Sequence, residues 1–181
     1  PTPHQELDAC KEVLARINAP RRFWPFGNHD WRLESYIAKN AEQLIGFQGV
    51  HLKDHFPEWE HCWRLCVNKG TAAELNIKHR SSGSGLIGRG KTAGTSIMTG
   101  HLHSMNVLRF SDYRGDHFSI DGGTLARVPG EIEVPQFTPW TEDNPVDWAA
   151  GFFRLTWRAG TLLWPEPIHV INEREGLVSF R

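Results

Sequence analysis

The stretch Ser96-Ile97-Met98-Thr99-Gly100-His101-Leu102-His103 carries a short apolar strand through a glycine into two alternate histidines. Side chains two apart on an extended segment point the same way, and a glycine lets the backbone turn sharply at a strand end. Neutral imidazole ligates zinc, iron, nickel and manganese-type ions. The pattern predicts a metal-binding corner where a strand ends. An isolated His-x-His equally fits a strand edge with two solvated histidines, and its spacing alone leaves both readings open.

Upstream, Leu7, Cys10, Val13, Leu14 and Ile17 recur at helical spacing, which predicts an amphipathic helix from about Gln5 to Asn18, closed by Pro20. Arg22 to Phe26 reads as a short strand with Pro25 at its end or edge. It runs into Gly27-Asn28-His29-Asp30, three polar side chains of complementary chemistry at a position where α/β proteins commonly bind ligands. Asn28 offers an amide oxygen to a hard metal, His29 a proton donor, and Asp30 a carboxylate able to fix the His29 tautomer. The same tetrapeptide also fits a turn followed by a helix N-cap. A second amphipathic helix is expected from Trp31 to Ile45, with Leu33, Tyr36, Ile37, Ala41 and Leu44 on one face.

Gly46 to Trp59 has no regular period, and His51, His55 and His61 read as surface histidines. Trp63 to Val67 and Leu75 to His79 read as strands, so His79 also ends a strand. Asn106 to Phe110 and His117 to Ile120, joined through Asp112 to Asp116, form an expected hairpin. Val134 to Trp148 reads as a long loop packed by its aromatics. Strands return over Phe152 to Trp157, Thr161 to Trp164, Ile168 to Ile171 and Leu177 to Phe180.

Arg80 to Gly94 is rich in glycine and serine, and the expectation is a mobile basic loop in which Arg80, Arg89 and Lys91 are candidate substrate-binding cations. Within it, Gly85 to Thr92 matches the G-x-x-x-x-G-K-[ST] phosphate loop letter for letter. That motif needs a buried strand before it and a helix after it. Here Arg80 to Ser84 precedes it, Ala93 to Ile97 follows it, and no apolar strand ends in a Walker-B aspartate. A nucleotide-binding protein using Gly85 to Thr92 stays as an alternative.

The chain has 181 residues and is 39% hydrophobic, enough for one sizeable core, so a single domain over residues 1–181 is expected. Lys+Arg 20 against Asp+Glu 21 provides no bulk positive field, so nucleic acid is not indicated by charge. Cys10, Cys62 and Cys66 make no disulfide framework and contain no C-x-x-C pair, which favours a reducing, cytoplasmic setting. No run approaches a membrane-spanning length. The chain opens Pro1-Thr2-Pro3 without an initiator methionine, and an N-terminally truncated piece of a longer protein is expected.

Gly27-Asn28-His29-Asp30, a strand-terminal His79 and Gly100-His101-Leu102-His103, in that order, resemble the calcineurin-like metallophosphoesterases over roughly Pro20 to Leu125. The resemblance implies an α/β (α+β) fold, part of a four-layer α-β-β-α sandwich with two mixed sheets and C-terminal hairpins. It implies two divalent ions, with manganese, iron, nickel and zinc not distinguished. Asn28, His79 and His101 would bind one ion and His103 the other. His29, oriented by Asp30, would assist the leaving group of a phosphate ester opened by water at the two-metal site. The family's Asp-x-His and Gly-Asp-x-x-Asp motifs occur nowhere in this chain; Gly115-Asp116-His117 begins like the second but has Ser119 where it needs aspartate. The expectation is therefore a phosphoesterase, phosphatase or phosphodiesterase, whose site is only partly carried here, so that these residues alone are inactive. A noncatalytic binding module on a degenerate scaffold of this kind is the other alternative.

Overall fold

The computed structural model describes residues 2–125, 148–172 and 177–180. They form a mixed α+β chain that divides into two compact units, Pro1–Leu65 and Cys66–Arg181. Helices cluster early and strands late, as the periodicities predict. Among the described residues no helix is long and apolar enough to cross a membrane, and Cys10, Cys62 and Cys66 are not joined in disulfides.

The first unit opens with α1, Pro3–Leu14, whose start is written in three residues. Thr2 Oγ1 accepts from Gln5 N–H at 3.4 Å, Gln5 Oε1 accepts from Thr2 N–H at 2.8 Å, and Pro3 begins the first turn. This reciprocal cap satisfies two otherwise orphaned donors. The helix ends one turn before the expected Asn18, and Arg16 and Ile17 continue only as turns bonded to Val13 and Leu14 carbonyls. β1, Phe23–Pro25, pairs in parallel with β2, Glu60–Cys62. The second helix, α2, spans Trp31–Asn40 rather than reaching Ile45. It breaks because Ala41 leaves helical geometry at φ −147° and Asn40 Nδ2 donates to the Tyr36 carbonyl at 3.1 Å. A 3-10 turn, Glu42–Leu44, follows, and then the single-turn α3, Leu52–His55. Ile37, Leu52 and Phe56 are the buried apolar side chains here.

The second unit is built on a five-stranded mixed sheet ordered β3-β4-β5-β7-β6. Its strands are β3, Leu65–Val67; β4, Leu75–Ile77; β5, Ser96–Thr99; β6, Met105–Asp112; and β7, Gly115–Gly122. β4, β5 and β7 run parallel, and β6 returns antiparallel on β7 as the expected hairpin. Asp112 Oδ1 pins the hairpin turn by accepting from Arg114 N–H at 2.8 Å and meeting His117 Nε2 at 2.9 Å.

β7 is buried on both faces, and its alternation sorts the core. Phe118 and Ile120 join Leu75 and Leu162, with Ile77, Met98, Val107, Phe153, Leu155 and Trp157 against them. Asp121, on the other alternation, meets α4, Gly85–Ala93, the crossover between β4 and β5.

The C-terminal strands are β8, Gly151–Arg154; β9, Trp157–Arg158; β10, Thr161–Leu162; β11, Glu166–Asn172; and β12, Leu177–Phe180. The expected strand from Phe152 to Trp157 is split, and only its end, in β9, forms a hairpin with β10. β8 pairs instead with β11, in an antiparallel sheet ordered β12-β11-β8. Trp157 Nε1 donates to the Ala73 carbonyl at 3.1 Å, tying this hairpin to the segment before β4. The expected loop from Val134 lies outside the described residues up to Trp148.

Candidate metal centre

β4 and β5 are adjacent and parallel, so their carboxyl ends open on one edge of the sheet, the edge where ligands bind in open α/β sheets. His79 and His101 occupy equivalent places there, each two residues past its strand. The ladder continues beyond the strands through Lys78 N–H to the Met98 carbonyl (3.1 Å) and Gly100 N–H to the His79 carbonyl (3.2 Å). These bonds set the two rings against each other. His79 Nε2 lies 3.0 Å from His101 Nδ1, with the rings 78° apart. Two nitrogens about 2.1 Å from one ion sit about 3.0 Å apart at the right angles of an octahedral site and about 3.4 Å apart at tetrahedral zinc. The separation equally suits an N–H···N bond between neutral imidazoles.

His101 is half-buried, and burial holds its pKa below the ordinary histidine value, helped by the positive charges of Arg80, His103 and Arg89 and opposed by Asp121. The ring is neutral at neutral pH, the form that ligates metal.

His103 departs from the expected geometry. Extended backbone ends at Thr99, His101 and Leu102 form a turn, and His103 is left-handed at φ +61°. The two-residue alternation that would place both rings on one side therefore does not operate. The His103 ring packs edge-on against Trp148, centroids 4.4 Å apart, while its carbonyl accepts from Ala149 N–H at 3.0 Å.

Asn28, His29 and Asp30 belong to the first unit, between β1 and α2. Asp30 Oδ2 accepts from Gly27 N–H at 2.7 Å, so its carboxylate closes the loop backward and makes no side-chain cap on α2. Trp31 N–H to the Gly27 carbonyl and Arg32 N–H to the His29 carbonyl complete a tight turn that leaves Asn28 and His29 exposed.

The expected basic loop is a helix. Gly85–Ala93 winds as α4, so the phosphate-loop match is not a loop between strand and helix, and Gly90 within it and Gly83 just before it have packing reasons. A Cβ on Gly90 would stand 2.4 Å from the Phe110 ring, and one on Gly83, at φ +110°, would stand 2.6 Å from Gly88 backbone. Arg89 is buried rather than mobile: its Nη1 donates to Asp121 Oδ2 at 3.0 Å and to Thr99 Oγ1 at 3.1 Å. Arg80 and Lys91 are exposed.

Asp121 and Thr99 had no signal in the sequence, because Asp121-Gly122-Gly123 reads as a turn. The structure puts Asp121 opposite Thr99 in the β5–β7 register. Two supposed surface histidines are also placed otherwise. His51 Nδ1 meets Glu34 Oε2 at 2.7 Å, beside the Leu52 N–H bond to Glu34 Oε1 at 2.9 Å. His61 stacks between Trp24 and Phe26, with Nε2 buried and unbonded.

Among the described residues no group of three or more His, Cys, Asp or Glu is placed to hold a metal ion. What the second unit offers is a close pair of imidazoles. Comparison with family models, with curated proteins and with solved structures finds no match for this chain.

Proposed function

We propose that the chain carries part of the site of a metal-dependent phosphoesterase, with His79 and His101 as ligands of one divalent ion. The observation that carries this reading is the 3.0 Å approach of their ring nitrogens at the shared carboxyl edge of β4 and β5. His101, held neutral by burial, has a ring lone pair that a cation would take in place of the His79 contact. His103 belongs to the second ion. Divalent ions there would supply Lewis-acid polarisation of a phosphate ester and a lowered pKa for water.

The remaining roles fall to the chain's own groups. His29, exposed on the turn that Asp30 closes, donates a proton to the departing oxygen. Arg80, exposed next to His79, binds the phosphate, with Lys91 as a further cation. Arg89 supports the edge from beneath through Asp121. The four-layer sandwich of two mixed sheets belongs to the same proposal, as does a reducing cytoplasmic setting, which three cysteines outside any disulfide favour.

Equilibrium dialysis against manganese and zinc tests the reading. Uptake should be lost in His79→Ala and His101→Ala and kept in His55→Ala; uptake indifferent to both substitutions would end it. A second reading, a noncatalytic binding module on a degenerate scaffold, is favoured by the lack of a three-ligand cluster among the described residues. Metal uptake with no hydrolysis of an aryl phosphodiester by a chain carrying every site residue would select it.

A further inference from the structure

The loop that holds Asn28 and His29 is bracketed by a connected cluster of rings. Trp24, His61 and Phe26 stack nearly parallel, with centroids 5.6 and 5.3 Å apart and planes 29° and 21° from one another. Phe26, directly before Gly27, lies 6.0 Å from Trp31, directly after Asp30. Trp63 closes the group, 5.6 Å from Phe26 and 4.7 Å from Trp31. The inner rings are half-buried, yet Trp31 is 41% and Trp63 57% exposed. The Trp31 and Trp63 planes meet at 63°, an edge-to-face contact. Such a contact occupies an edge of one indole and one face of the other, so π surface is left for another planar group.

We infer that Trp31 and Trp63 form a stacking platform for the base of a single nucleotide whose phosphate ester lies at the Asn28–His29 turn. The inference rests on the phosphoesterase reading and names its substrate class. Three features select this occupant. Indole faces stack on any base, which is a sequence-tolerant interaction. The ring pair flanks the two exposed polar residues assigned to phosphate chemistry, so base and ester are served side by side. Arg64, exposed and next to Trp63, adds the positive charge a phosphate needs. The near balance of Lys+Arg 20 and Asp+Glu 21 supplies no field to track a long polyanion, which favours one nucleotide over a strand.

The test titrates the 181-residue chain with adenosine 5′-monophosphate, ribose 5-phosphate and inorganic phosphate in EDTA, following indole N–H resonances. The nucleotide should shift the Trp31 and Trp63 signals and bind at least about fivefold more tightly than ribose 5-phosphate, the low end of base–aromatic stacking. Trp63→Ala should abolish that preference. Trp63→Leu, which keeps apolar volume without a π face, should do the same, while Trp164→Ala, at a tryptophan 55% exposed in the second unit, should keep it. Equal binding of the two sugar phosphates, or an unchanged preference in folded Trp63→Leu, overturns the inference. So does binding of oligothymidylate without binding of the mononucleotide, which would assign the rings to single-stranded nucleic acid. Because the titration excludes metal, loss of the base preference with histidine-dependent metal uptake intact strikes this inference alone. Loss of metal uptake with the preference intact strikes the phosphoesterase reading.

Discussion

His79 Nε2 and His101 Nδ1 stand 3.0 Å apart although 22 residues separate them in sequence. Parallel pairing of β4 with β5 aligns Ile77 with Met98, and each histidine leaves the sheet shortly beyond that pair. The contact is a property of strand register. A one-residue slip would send one ring to the opposite face.

Protons and metal should compete for this pair. Burial keeps the His101 pKa below its ordinary value, so the ring stays neutral to a lower pH than a solvated histidine. Protonation of His101 should therefore cost manganese uptake only as pH drops below the ordinary histidine range. His101→Ala should weaken uptake at least about tenfold at pH 7, the scale expected for altering a metal site's ligand shell. Dialysis at a series of pH values checks both statements.

The Arg89–Asp121 ion pair should hold the helix α4 to the sheet. Its side chains are 9% and 1% exposed, and burial pushes the Asp121 carboxyl up while the Arg89 guanidinium pulls it down. Arg89→Met or Asp121→Asn alone leaves a buried group without its partner and should cost about 3–5 kcal/mol. The double substitution Arg89→Met with Asp121→Asn should cost less than the two singles summed. Urea denaturation of the four proteins measures the coupling.

Gly90 should prove to be a packing residue. Gly90→Ala puts a methyl 2.4 Å from the Phe110 ring and should destabilise by about 1–3 kcal/mol, the range for overpacking. Phe110→Leu should recover part of that loss. Lys91→Ala, at an exposed position, should leave thermal stability unchanged.

His61 should make the first unit acid-sensitive. Burial lowers its pKa, with Asp30 and Glu58 opposing and Lys53 assisting. Its folded value therefore lies below its unfolded one, so the unfolded chain binds more protons in the interval between them. Stability is full above the ordinary histidine pKa and declines as pH falls through the folded value. His61→Phe keeps the ring stack and removes the titration, so its stability curve should be flatter over that interval. Thermal melts from pH 7 downward provide the comparison.

Much of the local structure was legible in the residue pattern. Alternation and apolar runs marked β4, β5 and the β6–β7 hairpin, and helical spacing marked α1 and α2, because the period of apolar residues follows the period of the backbone. The ends were less legible. α1 stops at Leu14 and α2 at Asn40 because the terminal carbonyls find other donors, Ile17 N–H for Leu14 and Asn40 Nδ2 for Tyr36. The glycine-rich segment read as a loop because glycine disfavours helix. It winds into α4 because a bare Cα is what allows close approach to Phe110.

The sequence by itself marked Asn28, His29, Asp30, His79, His101 and His103 as candidates for chemistry, and showed that strands end near them. Only the tertiary structure decided that His79 meets His101, that His103 turns left-handed and packs on Trp148, and that Arg89 is sealed against Asp121. The reason is physical. Residue types and periods act over a few positions, whereas these contacts join elements far apart in the chain through pairing register and burial.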